Sequence, residues 1–67
     1  MSSNRFVVSH HEGLWCIGYR GLWYGGYTDK ATALGVAVEL ASAAPELADE
    51  VVFEEADGLP VVFWKSP

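Results

Sequence analysis

The pair His10-His11 is the first point in the sequence where chemistry could be carried out. Adjacent imidazoles invite a metal-binding or acid–base interpretation. Neighbouring residues of an extended segment point to opposite faces, however, so the two rings cannot easily bind one ion. With one Cys and no further His in the chain, a zinc site lacks ligands. We therefore predict no metal and no cofactor. We interpret residues 10–13 as a turn whose histidines form local hydrogen bonds or become protonated at acidic pH.

Cys16 is the second candidate, as a nucleophile close to a histidine. It falls within a predicted strand between Trp15 and Ile17, where apolar neighbours disfavour a thiolate, so we interpret it as a structural residue. Ser9, Thr28 and Ser42 occur in no nucleophile-elbow or phosphate-loop context, and the glycines match neither phosphate-binding signature. The sequence therefore predicts a protein that is not an enzyme and has no catalytic residues.

Acidic side chains are concentrated late in the chain. Residues 31–67 hold seven of the nine acidic and one of the four basic side chains, and the net charge is −5. The cluster could supply paired carboxylates, a cation site or a mimic of nucleic-acid phosphates, although calcium-loop spacing is absent. We interpret it as a solvated connector and strand rim, with binding to a basic partner as the alternative. The clustered residues are Glu46, Asp49, Glu50, Glu54, Glu55 and Asp57.

Length and composition predict one small domain spanning residues 1–67. A 67-residue chain has a small core, yet 51% of its residues are hydrophobic, which excludes disorder and favours covering apolar surface by self-association. The single cysteine permits no internal disulfide and is typical of a reducing cytoplasm, where we expect the protein. No apolar run approaches the length of a membrane span, so no membrane partner is predicted.

The elements that must position these residues follow from hydrophobic periodicity and turn signals. Strands are predicted over residues 5–9, 14–20, 22–27, 50–55 and 59–65, with hairpin turns at Arg20-Gly21 and Asp57-Gly58. Gly25-Gly26 predicts a bulge or a close approach by a large aromatic side chain. A helix is predicted from Asp29 to residue 43 or 44, capped by Thr28 and stopped by Pro45. The fold class is α+β, an antiparallel sheet with one helix packed across it in the order βββαββ.

The predicted helix is more apolar than a lone surface helix usually is. Outside its sheet-facing stripe the helix has few polar residues, so we expect part of its outer face to be covered. Formation of a homodimer is the simplest way to cover it. The predicted stripe is Ala33, Leu34, Ala37, Leu40, Ala41 and Ala44.

The segment 14–28 holds five of the nine aromatic residues. Alternation sets Trp15, Ile17 and Tyr19 on one face, where their bulk complements an alanine-rich helix. Trp23 and Tyr24 must then point to opposite faces, so at least one of them leaves the core. We predict an exposed patch of aromatic and arginine side chains, the types that dominate interfaces. Its candidate binding residues are Arg5, Arg20, Trp23, Tyr24 and Trp64.

The chain resembles a bacterial family without an assigned activity, catalogued as domain of unknown function 2188. The matching pieces span nearly the whole chain and imply the same fold but no activity. An apolar helix and an apolar final strand depart from that family, whose members tend to have a charged helix and a basic tail. The matching pieces are Val7-Val8-Ser9-His10, Gly13-Leu14-Trp15, Thr28-Asp29-Lys30-Ala31, Ala37 with Ala41, and Asp57-Gly58.

Residues 14–41 are also similar to the three-stranded DNA-binding domains of plant APETALA-type factors and phage integrase arms. That resemblance implies base contacts by Arg20 and by Trp15 or Trp23. The predicted sheet supplies only Arg5 and Arg20 as fixed cations, too few for phosphate binding without dimerisation.

We therefore predict a non-enzymatic interaction module that binds protein and homodimerises through the uncovered sheet face or the outer side of the helix. Nucleic-acid binding by the sheet, through Arg5, Arg20 and the aromatic residues, is the alternative. A small acidic inhibitor of a nucleic-acid-binding protein, of the kind phages encode, is the third hypothesis.

Overall fold

A computed structural model describes residues 4–54 and 58–66 of the 67-residue chain. In chain order these residues form three strands, a helix and two strands. Every predicted element is present, with ends shifted by two residues at most. The elements are β1 (Arg5–His11), β2 (Leu14–Tyr19), β3 (Leu22–Tyr27), α1 (Lys30–Ala43), β4 (Glu50–Glu54) and β5 (Pro60–Lys65).

The strands form one sheet in the order β3-β2-β1-β4-β5. The predicted all-antiparallel sheet is wrong, because β1 and β4 pair in parallel, with Phe6 opposite Val51 and Val8 opposite Phe53. The cause lies in the helix between β3 and β4. A chain that crosses a sheet through a helix returns in its original direction, and strands joined in this way run parallel. β4 pairs along the side of β1 that the β1-β2-β3 meander leaves open, so the sheet is mixed.

Two tight turns connect the first three strands. Arg20 and Gly21 both have positive φ, 51° and 82°, the geometry of the predicted two-residue hairpin. The same geometry recurs at Glu12 and Gly13, so the turn predicted over residues 10–13 contains only its last two residues. His10 and His11 instead belong to β1.

The predictions made from two glycine-containing segments, Gly25-Gly26 and Asp57-Gly58, have different outcomes. The predicted irregularity at Gly25-Gly26 is confirmed by a register shift between Trp15 and Ile17 on the facing strand, and Gly25 has a φ of 77°. The predicted Asp57-Gly58 turn falls partly outside the described residues.

The helix begins one residue later than predicted, and its cap differs. Asp29, not Thr28, is the N-cap, and its carboxylate accepts a hydrogen bond of 2.7 Å from the backbone N–H of Thr32. This bond satisfies an otherwise unpaired donor of the first turn and lowers the pKa of the Asp29 carboxyl. The charged side chain at position 29 therefore takes the capping role predicted for the Thr28 hydroxyl.

The core lies between α1 and the central strands. Large side chains from the sheet meet small ones from the helix, the complementarity that the sequence predicts. Leu40 departs from the predicted helix stripe, since it is 46% exposed at the edge of the contact. Within this core, the buried sheet residues are Phe6, Val8, Ile17 and Val51, and the buried helix residues are Ala33, Leu34, Ala37 and Ala41.

Polar and charged contacts fix both ends of the helix to the sheet. The Lys30 ammonium lies 3.8 Å from the centre of the Phe53 ring and 5.8 Å from that of Trp15. Beyond the other end, the Tyr19 hydroxyl donates a 2.8 Å hydrogen bond to the Leu47 carbonyl. Within the described part of the chain, no helix is long and apolar enough to cross a bilayer.

Candidate functional site

The face of the sheet opposite α1 presents one row of side chains from each strand, and we call it the open face. Because Phe6, Val8 and Ile17 point into the core, alternation places Val7 of β1 and Gly18 of β2 on the open face. Trp23 of β3 is in register with Gly18 and shares that face. These three residues are neighbours across three strands, since Val7 is in turn in register with Gly18.

Trp23 lies over Gly18. A Cβ added to Gly18 would come within 2.7 Å of the six-membered ring of Trp23, so only glycine leaves room for the indole in this position. The His11 ring also packs against the indole, with ring centres 4.4 Å apart. The indole is thus in contact with both Gly18 and His11, yet Trp23 remains 49% exposed. A large aromatic surface is therefore presented to solvent in a fixed orientation.

Polar pairs cover the β1–β4 part of the open face. Arg5 and Glu50 form an ion pair of 3.7 Å, in which the Glu50 side chain is only 14% exposed. The Ser9 hydroxyl donates a 3.0 Å hydrogen bond to Glu54. Between these carboxylates along β4 lies Val52, which is 1% exposed although it points away from the helix. This part of the open face is therefore closed and polar, in contrast to the β2–β3 part.

A cleft of about 420 Å³ lies at the junction of the two parts, and we call it the open-face cleft. Val7 and Gly18 lie between its walls, with Trp23 on one side and Glu54 on the other. The lining carries charges of both signs, so it supplies no uniformly positive surface. An apolar or aromatic group could lie against Trp23 while polar groups bind at the charged end. The side chains that define the cleft are Arg5, Val7, Arg20, Trp23 and Glu54, around Gly18.

The structure brings together three of the five predicted binding residues. Arg5, Arg20 and Trp23 line the open-face cleft, with the Arg20 guanidinium 5.5 Å from the centre of the Tyr19 ring. Tyr24 is in register with Ile17, so it lies on the helix side, where it is 50% exposed. Trp64 also lies on that side, opposite Val51 and packed against the core. Trp23 and Tyr24 thus occupy opposite faces, as alternation predicts.

His10, His11 and Cys16, the candidates for metal binding or catalysis, make contacts with different neighbours. His10 packs against Trp15 on the helix side, with ring centres 4.8 Å apart, whereas His11 packs against Trp23 on the open face. Cys16 is half-buried, with its sulfur 3.9 Å from the Gly25 carbonyl oxygen. Among residues 4–54 and 58–66, no group of three or more His, Cys, Asp or Glu side chains could hold a metal ion.

Sequence reasoning missed the residues that shape the site around Trp23. Alternation along β2 places Gly18 on the face opposite Trp15, but its role beneath an indole depends on the β2–β3 register. The sequence predicts a turn at His11 and a solvated rim at Glu54. The one available signal was a glycine inside a strand otherwise rich in aromatic residues, since such a glycine often marks a close approach.

No family model, curated protein or solved structure matches the chain. The resemblance to domain of unknown function 2188 therefore stays a prediction from the sequence.

Proposed function

We propose that the protein is a non-enzymatic interaction module that binds a partner polypeptide in the open-face cleft. The observation that supports this most directly is the half-exposed Trp23 indole, held over Gly18 beside the cleft. A prepositioned aromatic ring loses little conformational freedom on binding, and tryptophan is prominent among residues that contribute most to interfaces. We also propose that the protein self-associates. We further propose that the protein is located in the cytoplasm.

The chemistry of the cleft indicates the kind of partner segment. An aromatic or long aliphatic side chain would lie against Trp23 and Val7. A carboxylate or carbonyl close to that side chain would accept hydrogen bonds from Arg20. Arg5 is already paired with Glu50, so it contributes less to binding of a partner charge.

The same charges disfavour the nucleic-acid alternative. Binding to phosphates needs several cations that are not neutralised by the protein itself. Arg5 pairs with Glu50, and Glu54 lines the same cleft. A net charge of −5 adds long-range repulsion, so a phosphate backbone would gain little at this surface.

Selection from a peptide library tests the proposal, with Trp23→Ser and Tyr24→Ser as matched variants. The two residues are neighbours on β3 with 49% and 50% exposure, but Trp23 lines the cleft whereas Tyr24 lies on the helix side. Peptides selected on the wild-type protein should carry an aromatic or long aliphatic residue and bind Trp23→Ser at least about tenfold more weakly. Tyr24→Ser should retain them.

Peptides that bind both variants equally, or a library that yields no binder, would contradict the proposed site. Binding of generic duplex DNA or RNA that weakens steeply with salt would instead support the nucleic-acid alternative.

A further inference from the structure

The final strand, β5, is one of two edge strands of the described sheet, and it is as exposed as the other, β3. All residues of β5 except Trp64 are exposed, including three large apolar side chains. Val61 and Phe63 lie near Phe53 on the helix side, whereas Val62 is in register with Val52 on the open face. β5 is also last in the sheet order, so its outer backbone groups have no neighbouring strand in the described sheet.

Proteins usually protect an edge strand from pairing with another chain. They place charged residues or proline along it, or shorten it. In β5, proline and charged residues occur only at the ends of the strand, with Pro60 at the first position and Lys65 at the last. The apolar run between them has its polar backbone groups and both rows of side chains accessible, which is the arrangement that another β-strand can cover.

We infer that β5 pairs with β5 of a second copy of this chain. The strands run antiparallel about a two-fold axis near Val62 and join the two sheets into one. This inference deepens the self-association part of the proposed function, rests on it, and concerns a surface other than the open-face cleft.

The sequence of β5 is complementary to itself in this alignment. Val62 meets the Val62 of the second copy, and each Val61 meets a Phe63, a pairing of β-branched with aromatic side chains that stabilises antiparallel strands. The register irregularity near Phe63 then falls at symmetric positions, each opposite Val61.

Charges at the ends of the strand favour the same direction. Antiparallel pairing brings Lys65 of each copy to the Pro60 end of the other, and Pro60 is in register with Glu54. An ammonium group thus approaches a carboxylate at both ends of the contact. Parallel pairing would place the two Lys65 residues together, with like charges adjacent.

The axis of such a dimer is perpendicular to the sheet, because antiparallel pairing keeps corresponding faces on the same side. Both helices then lie on one side of the joined sheet, and both open-face clefts lie on the other. A six-residue strand is about 20 Å long, so the contact is smaller than a standard interface of about 800 Å² per partner. We expect a dissociation constant nearer micromolar than nanomolar.

Opposite charges introduced at Val62 in two separate variants test the inference. The mass of each protein is measured by analytical ultracentrifugation at physiological salt, at up to about 1 mM protein. The wild-type mass should rise with concentration from 7.3 kDa towards twice that value. Val62→Lys and Val62→Glu place like charges across the axis, so each alone should stay at the mass of one chain. An equimolar mixture should return to the dimer mass. Circular dichroism shows whether each variant is folded, which is expected because Val62 is 55% exposed.

The control variants are Leu22→Lys, on the opposite edge strand, and Trp23→Ser, on the open face, and both should dimerise normally. If Val62→Lys dimerises as well as the wild type, or the mixture fails to associate, the β5 contact is wrong. Loss of the dimer in Trp23→Ser but not in Val62→Lys would refute the edge inference while supporting self-association through the cleft. A wild-type protein that is monomeric throughout would refute both.

Discussion

Gly18 shows at the level of a single residue how a missing side chain creates a binding surface. The indole of Trp23 occupies the space that a Cβ at Gly18 would need, so the orientation of the exposed aromatic ring depends on the absence of a side chain at this position. The His11 ring packs against the same indole. The chemistry of the site is therefore that of a positioned surface rather than of a reactive group.

Replacing Gly18 by Ala should move the Trp23 indole off the sheet with little effect on stability, because the ring can rotate into solvent. We expect a shifted Trp23 indole N–H resonance in an NMR spectrum and at least about tenfold weaker binding of selected peptides. Gly35→Ala is the control, because nothing lies within 4 Å of a Cβ there. It should leave the indole resonances unchanged and stabilise the helix by about 0.5–1 kcal/mol in urea unfolding. Unchanged indole resonances in Gly18→Ala would contradict the placement of Trp23.

Local signals determine the elements, and the sequence predicts them well. The whole of β3, the stop of α1 before Pro45 and the turn at Arg20-Gly21 depend on neighbouring residues alone. The partner of each strand depends on contacts far apart in the chain. No local pattern in Val7-Val8 or Val51-Val52 indicates that these strands pair in parallel, so the prediction of an antiparallel sheet is wrong at that junction.

The N-cap of α1 makes a pH-dependent contribution to stability. The hydrogen bond from Thr32 lowers the pKa of Asp29, so the folded state favours the carboxylate. This contribution is present at pH values above the ordinary aspartate pKa of about 4, and is lost as pH falls through the lower value of the folded state.

Asp29→Asn keeps an oxygen acceptor but removes the charge, whereas Asp29→Ala removes both. In urea unfolding at pH 7, Asp29→Ala should be clearly less stable than Asp29→Asn, because it leaves the Thr32 N–H without its cap. Between pH 6 and about 3, the wild type should lose more stability than Asp29→Asn. Parallel pH profiles of the two proteins would show that Asp29 carries no such linkage.

The whole molecule has a covered helix side and an open face that differ in chemistry. The helix covers the central strands, whereas both edge strands remain largely exposed. The open face is divided between polar pairs along β1 and β4 and the aromatic surface of Trp23. The sequence predicts that at least one of Trp23 and Tyr24 leaves the core, but it does not indicate which residues accompany it. The strand order places β4 beside β1 and so brings Glu54 to the cleft with Arg5, whereas the registers of β3 and β5 place Tyr24 and Trp64 on the helix side.

The most direct test of the central claim, that a partner binds beside Trp23, is an NMR titration of the isotopically labelled protein with a selected peptide. We predict that the largest shifts occur at the Trp23 indole and at the backbone amides of Val7 and Gly18, with α1 little affected. Shifts confined to α1 or to Tyr24, with an unchanged Trp23 indole, would contradict the claim.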